Sequence, residues 1–442
     1  MKNNLTVLGD FDKAYKLLKD DQNNVVSVLA KNEKNLKSGL LEKAVFTLKD
    51  NYATAEYITQ SSSKTLNGFK PFYNAEIYDL LINQGASLVA KVHADEFGLG
   101  GSGLFSGYGI IKHPQDDKRI IGGSSSGSVA SMYCDVSFSI GSDTGDSVRN
   151  PAGYNGFVGF KPTYGAVSRY GLFAYASSMD TVAYFTHNVN DAFVLSKVLF
   201  KKDNKDMTSI KVNLDERINA QKPLKLGFLG NLNYLQKDIK NNYLELSEKL
   251  KKENIEIEFL DLDEKLLNHI KTVYDVLSYS EATSNLANIK GLQFGNKTKG
   301  KNWEEIVTNS RSDFFGEMVQ RRLTLGSLFL SVDHINDVFY NAQKMRQKIT
   351  EYMSTKLKDY DAFVYPASDD VAPLIEGESK KPNFMQWILT NANLSGVPSI
   401  VIPWIKVNNL PVGLAIDTKL KEDQKLLNIA LYFEQFLGAK SE

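Results

Sequence analysis

Along this chain, stretches with apolar residues at three- and four-residue spacing alternate with short continuous apolar runs. The first kind predicts a helix over residues 11–19, and the second a strand over Val25–Ala30. Ala44–Lys49 reads as a short strand that ends in Asp50-Asn51. Ile77, Leu80 and Leu81 fall at helical spacing, Gly85 stops that helix, and Ser87–Val92 resumes as an apolar strand. A helix over Ser126–Asp135 and a strand over Val136–Ile140 continue the series. Such alternation predicts an α/β fold in which a buried mixed or parallel sheet carries helices on both faces.

Residues 203–222 are polar and weakly patterned, as a surface linker would be. Beyond them, strands at Leu224–Leu229 and Ile255–Leu260 flank an amphipathic helix over Asp238–Glu253. Long helices follow over Lys265–Ala287, Phe314–Phe329 and Ile335–Lys358. Strand signals return at Ala362–Tyr365 and Ser399–Ile402, before a helix over Asp423–Phe436. With no internal repeat, the pattern predicts a single domain over 1–442. Its core would be built from about 40–205 and 360–436, with a mostly helical insertion at about 222–358.

Composition narrows the function classes. The 442 residues balance 52 Lys+Arg against 52 Asp+Glu, which argues against a basic nucleic-acid-binding face on this chain. Cys134 is alone, so neither an intramolecular disulfide nor a Cys-rich zinc site can form, and a cytoplasmic setting fits. No apolar run is long enough to span a membrane. Sixteen of the 31 glycines fall within residues 98–171, so tight turns and close backbone approach concentrate there, and that region is where chemistry is sought.

Histidine offers no catalyst: His93, His113, His187, His269 and His334 are scattered, without paired metal-ligand spacing. No Gly-x-Ser-x-Gly elbow and no Walker phosphate loop is present. Two glycine-set serine clusters stand out instead, Gly122-Gly123-Ser124-Ser125-Ser126-Gly127-Ser128 and Gly141-Ser142-Asp143-Thr144-Gly145-Asp146-Ser147-Val148-Arg149. Upstream, Lys49 closes a predicted strand. A buried lysine can lose its proton, because desolvation disfavours its charged form, and relay through one serine to activate a second.

These elements, with Lys91–Phe97, the run Lys161-Pro162-Thr163-Tyr164-Gly165 and Ala176-Ser177-Ser178-Met179-Asp180, resemble the amidase signature family over roughly residues 40–435. Within it, Val276–Ala287, Phe314–Gly326, Ala342–Arg346, Asn393–Pro398 and Leu410–Leu414 look most like the glutaminase subunits of tRNA-dependent amidotransferases. The stretch before Lys49 looks shorter than is usual there.

The resemblance implies an amidase-signature fold and assigns roles. Ser147 would be the acyl-forming nucleophile, Ser124 the bridging serine after a cis Gly123–Ser124 bond, and Lys49 the base. Backbone amides around Thr144, Gly145 and Asp146 would form an oxyanion hole. Asp143 and Arg149 would pair to hold that loop. The substrate implied is glutamine, its carboxylate gripped by Arg322 or its neighbour Arg321, with Ser125 also among the substrate-binding residues. No metal or cofactor is implied on this chain. A partner B subunit would use ATP and Mg²⁺ on the tRNA, and a small C subunit would clasp the pair.

Two positions depart from the family. Asp146 stands where glycine is usual, and Gln386 aligns with the aspartate that normally holds the glutamine α-amino group. Together they suggest that Asp146 supplies the negative partner lost at 386; the alternative is that Asp146 only hydrogen-bonds nearby backbone. A stand-alone amidase and a catalytically silent scaffold are the other readings of the chain.

Overall fold

Val45–Lys49, Ser87–Val92 and Phe138–Asp143 are buried at every position, the signature of central strands covered on both faces. The computed structural model describes residues 4–376 and 384–438; the remainder of the expected 1–442 span lies outside the described residues. Its strands are β1 (Val26–Leu29), β2 (Val45–Lys49), β3 (Ser87–Val92), β4 (Phe138–Asp143), β5 (Val158–Lys161), β6 (Thr181–Thr186), β7 (Lys225–Leu229), β8 (Glu256–Leu260), β9 (Ala362–Pro366), β10 (Ser399–Val407) and β11 (Leu410–Asp417). They form one mixed sheet in the order β1-β3-β2-β4-β6-β5-β10-β11-β9-β7-β8. β3, β2 and β4 run parallel to one another, as do β9, β7 and β8, and the strands between them are antiparallel.

The helices are α1 (Phe11–Lys19), α2 (Glu76–Asn83), α3 (Ser126–Ser131), α4 (Arg149–Asn155), α5 (Val189–Leu199), α6 (Lys237–Lys252), α7 (Glu264–Asn285), α8 (Trp303–Phe314), α9 (Glu317–Phe329), α10 (Tyr340–Lys356), α11 (Phe384–Ser395) and α12 (Asp423–Gly438). Side-chain caps start several of them: Asp10, Asn188 and Asp263 each accept backbone N–H groups of the first turn. α3 stops at Ser131, four residues before the expected end, and Asp135 takes a left-handed φ of 57° on the way to β4. β4 in turn begins later than expected and reaches Asp143. A π-helical turn over Ile335–Phe339 precedes α10, where a helix from Ile335 was expected.

The segment expected as a mostly helical insertion first adds strands β7 and β8 to the sheet edge beside β9. Its helices α7 to α10 follow, with α7 packed on α9, α10 and α11. No described helix is long and apolar enough to cross a membrane.

Candidate active site

Because β3, β2 and β4 are parallel neighbours, their carboxyl ends deliver three chain segments to one edge of the sheet. Lys49 is the last residue of β2 and Asp143 the last of β4, while Asp95 and Glu96 follow β3. The turn from β4 into α4 carries Asp146 and Ser147. The Gly122–Ser125 loop enters α3 beside it, and the Ser125 N–H donates to the Ser147 carbonyl at 3.2 Å. The peptide bond Gly123–Ser124 is cis.

Lys49 is fully buried, and its Nζ lies 2.9 Å from Ser124 Oγ, 2.9 Å from Ser142 Oγ and 3.1 Å from Ser125 Oγ. Burial pushes its pKa down to about 7, against the opposing pull of the Asp95, Asp180 and Asp143 carboxylates. The three hydroxyls are not equivalent. Ser125 donates to the Ser142 carbonyl at 3.1 Å and receives the Ser142 N–H at 3.2 Å, so it locks the lysine cradle to β4. Ser142 Oγ also receives an Asn51 N–H at 3.1 Å. Ser124 directly precedes Ser125, whose N–H binds the Ser147 carbonyl, so its hydroxyl lies between the lysine cradle and the turn that carries Ser147. Its Oγ faces Gly98, where even an added Cβ would stand 3.6 Å away.

The turn that carries Ser147 is pinned by buried charge. Arg149 Nη2 and Nε meet Asp143 Oδ1 and Oδ2 at 2.9 and 3.2 Å, and both side chains are inaccessible. Arg149 also donates to the Gly145 carbonyl at 2.8 Å, to Asn393 Oδ1 at 2.5 Å and to the Leu389 carbonyl at 2.7 Å. Burial would raise the Asp143 carboxyl, but the adjoining guanidinium outweighs it and holds the pKa below the ordinary value. The expected Asp143–Arg149 pair is thus present. Thr144 Oγ1 donates to Asp180 at 2.7 Å, which ties the other end of the turn.

Asp146 is 6% exposed, and Gln386 on α11 hydrogen-bonds its carboxylate. Its Oδ2 is buried without a hydrogen-bond partner. Burial, with Asp143 nearby, raises its pKa to about 7. The two positions that depart from the family pattern therefore touch each other. Arg322 on α9 is half-buried, and its Nη1 donates to the Tyr175 hydroxyl at 3.0 Å. Its guanidinium stands 5.1 Å from the Tyr279 ring centre, and its Nε has no partner. Tyr274 links the two regions, approaching Gly145 closely and sensing both Asp146 and Arg322. Arg321, the neighbouring residue, is exposed.

Sequence reasoning did not single out Ser142, Asp180, Tyr175 or Glu96. Ser142, Asp180 and Glu96 lie inside the motifs that carry the resemblance, but only the fold shows which partners they meet. Among the described residues, no group of three or more His, Cys, Asp or Glu side chains is arranged to hold a metal ion.

Residues 12–427 match the amidase family, and the chain belongs to it. Among its relatives is the glutamyl-tRNA(Gln) amidotransferase A subunit of Mycoplasma genitalium, 37% identical over 93% of this chain and 90% of that protein. The protein of the same name from Sulfolobus acidocaldarius is 33% identical over 94% and 89%. Among solved structures, the Thermotoga maritima glutamyl-tRNA(Gln) amidotransferase A subunit superposes with a TM-score of 0.78 at 28% identity, over 96% of this chain and 94% of that one.

Proposed function

We propose that this chain is the glutaminase subunit of a glutamyl-tRNA(Gln) amidotransferase. One observation carries the chemistry: a fully buried Lys49, its pKa lowered to about 7, within 2.9 Å of Ser124 beside Ser147. The amidotransferase relatives support the substrate and the setting. Neutral Lys49 accepts the Ser124 proton as Ser124 takes that of Ser147, and Ser147 Oγ attacks the glutamine side-chain carbonyl. Amides of the turn Thr144–Ser147 receive the oxyanion. Collapse expels ammonia, which leaves with a proton returned along the same path. Water, giving its proton to the same relay, then attacks the glutamyl-Ser147 ester, and the relay returns a proton to the departing Ser147 Oγ.

In this reading Arg322 binds the glutamine α-carboxylate, and Asp146 receives the α-ammonium in place of an aspartate at 386. An ammonium and a carboxylate would satisfy the buried Asp146 Oδ2 and Arg322 Nε that now lack partners. The ammonia passes to a B subunit, where ATP and Mg²⁺ activate the Glu-tRNA(Gln) carboxylate, and a C subunit completes a cytoplasmic heterotrimer. The test is glutamine hydrolysis by the chain alone and with co-expressed B and C subunits. Strong stimulation by Glu-tRNA and ATP is expected; equal turnover of unrelated amides and no stimulation would refute the assignment.

A further inference from the structure

Glu96 has no part in the proton relay, yet it is 1% exposed and joins two parts of the molecule far apart in sequence. Its Oε1 accepts from Ser63 Oγ at 2.5 Å, and its Oε2 accepts from the Gly316 N–H at 2.8 Å. Gly316 is the N-cap of α9, and no side chain of its own segment caps that helix. Burial raises the Glu96 pKa to about 7, and in its ionised form the carboxylate also complements the helix dipole. The approach depends on glycine, because a Cβ on residue 316 would stand 2.5 Å from Glu96 Oε2. Next to this contact, the Phe97 ring meets Phe315 edge-on with centres 5.8 Å apart.

The other end of the bracket is the catalytic edge. Asp95 N–H donates to the Ser124 carbonyl at 3.1 Å, and the Asp95 carboxylate accepts from the Ser102, Gly103 and Phe105 amides. Consecutive residues thus hold the bridging serine and the start of α9. Arg322 lies six residues into that helix, about 9 Å along a rigid axis.

We infer that Glu96 is a positioning residue for substrate binding, fixing the amino end of α9 so that Arg322 meets the substrate carboxylate while Asp95 fixes Ser124. The inference rests on the glutaminase reading for its substrate. It is tested in the full-length chain with Glu96→Ala, Glu96→Gln and Gly316→Ala. Each is assayed on glutamine and on 4-aminobutanamide, which keeps the amide and the amine but lacks the α-carboxylate. Glu96→Ala and Gly316→Ala are expected to raise the glutamine KM about tenfold. Their kcat should stay within about threefold and their kcat/KM on 4-aminobutanamide within about twofold. Glu96→Gln keeps an acceptor for the Gly316 N–H and should restore most of the affinity. Amide exchange should quicken at residues 316–320 in Glu96→Ala and stay slow in β2. An unchanged KM, equal losses on both amides, or unchanged exchange in α9 would each overturn the inference. A wild-type chain that does not hydrolyse glutamine refutes the function alone, and the exchange measurement then decides whether Glu96 holds α9.

Discussion

Gln386 on α11 hydrogen-bonds the carboxylate of Asp146, the residue directly before Ser147. A carboxylate next to a developing oxyanion would oppose catalysis if it pointed at it. Held by Gln386, it is drawn towards α11. Asp146→Gly and Asp146→Asn are therefore expected to raise the glutamine KM roughly ten- to hundredfold, the equivalent of a hydrogen bond to a charged group at about 1.5–3 kcal/mol. Steady-state kinetics on folded protein decide it, and an unchanged KM would leave Asp146 as a structural partner of Gln386 only.

The pH dependence bears on two groups of the site whose pKa values are shifted to about 7, Lys49 and Asp146. Lys49 reacts as the free amine and its pKa is depressed to about 7, so kcat should rise as pH increases through about 7. Asp146 must be ionised to hold an ammonium and its pKa is raised to about 7, so the glutamine KM should fall over the same interval. Lys49→Arg cannot lose its proton and should be inactive at every pH tested. A kcat that stays flat across neutral pH in the native chain would contradict the lysine-base mechanism.

Ser147→Ala removes the only atom proposed to carry the acyl group. Mass spectrometry of quenched reactions should find a glutamyl adduct on native Ser147 and none in the variant, with turnover down on the order of 10³-fold or more. Ser124→Ala should also cripple turnover, because Lys49 would lose its relay. An adduct at another residue would reassign the nucleophile.

Asp143 and Arg149 make a stability prediction. Both are inaccessible, and removing one partner leaves the other charge buried without compensation. Asp143→Asn should lower the unfolding free energy by about 3–5 kcal/mol in urea titrations. The folded pKa of Asp143 lies below its ordinary 3.8, so its stabilising contribution is complete above 3.8 and lost as pH falls towards the depressed value. The variant should lack that acid-dependent loss.

Much of this site was legible because its chemistry sits on contiguous motifs at strand ends. Lys49 closing a strand, the two serine clusters and the Asp143–Arg149 pair all followed from local pattern. The misses have physical causes. α8 buries only Ser310 and so shows no apolar stripe. α11 is buried over most of its length, so it lacks the polar face that makes a helix recognisable. β11 contains Pro411 and Gly413, residues that argue against a strand interior. Glu96 was invisible as a positioning group because its partner lies 220 residues away in sequence.

The sheet order has a consequence for how this enzyme can change. The chain leaves the sheet from β8 and returns at β9, with only β7 between them. All three strands are parallel, so the chain leaves at the carboxyl end of β8 and re-enters at the amino end of β9. The helices between them, including α9 with its arginine, therefore form a cassette hung from one edge of the sheet. Lys49, Ser124 and Ser147 belong to the opposite part of the sheet and to an earlier stretch of chain. Bond-breaking machinery and the arginine proposed to read the donor thus come from separate stretches of chain, joined through Glu96. Remodelling that looped-out segment can alter how the donor carboxylate is read, whereas Asp146, proposed to hold its ammonium, stays in the turn that carries Ser147.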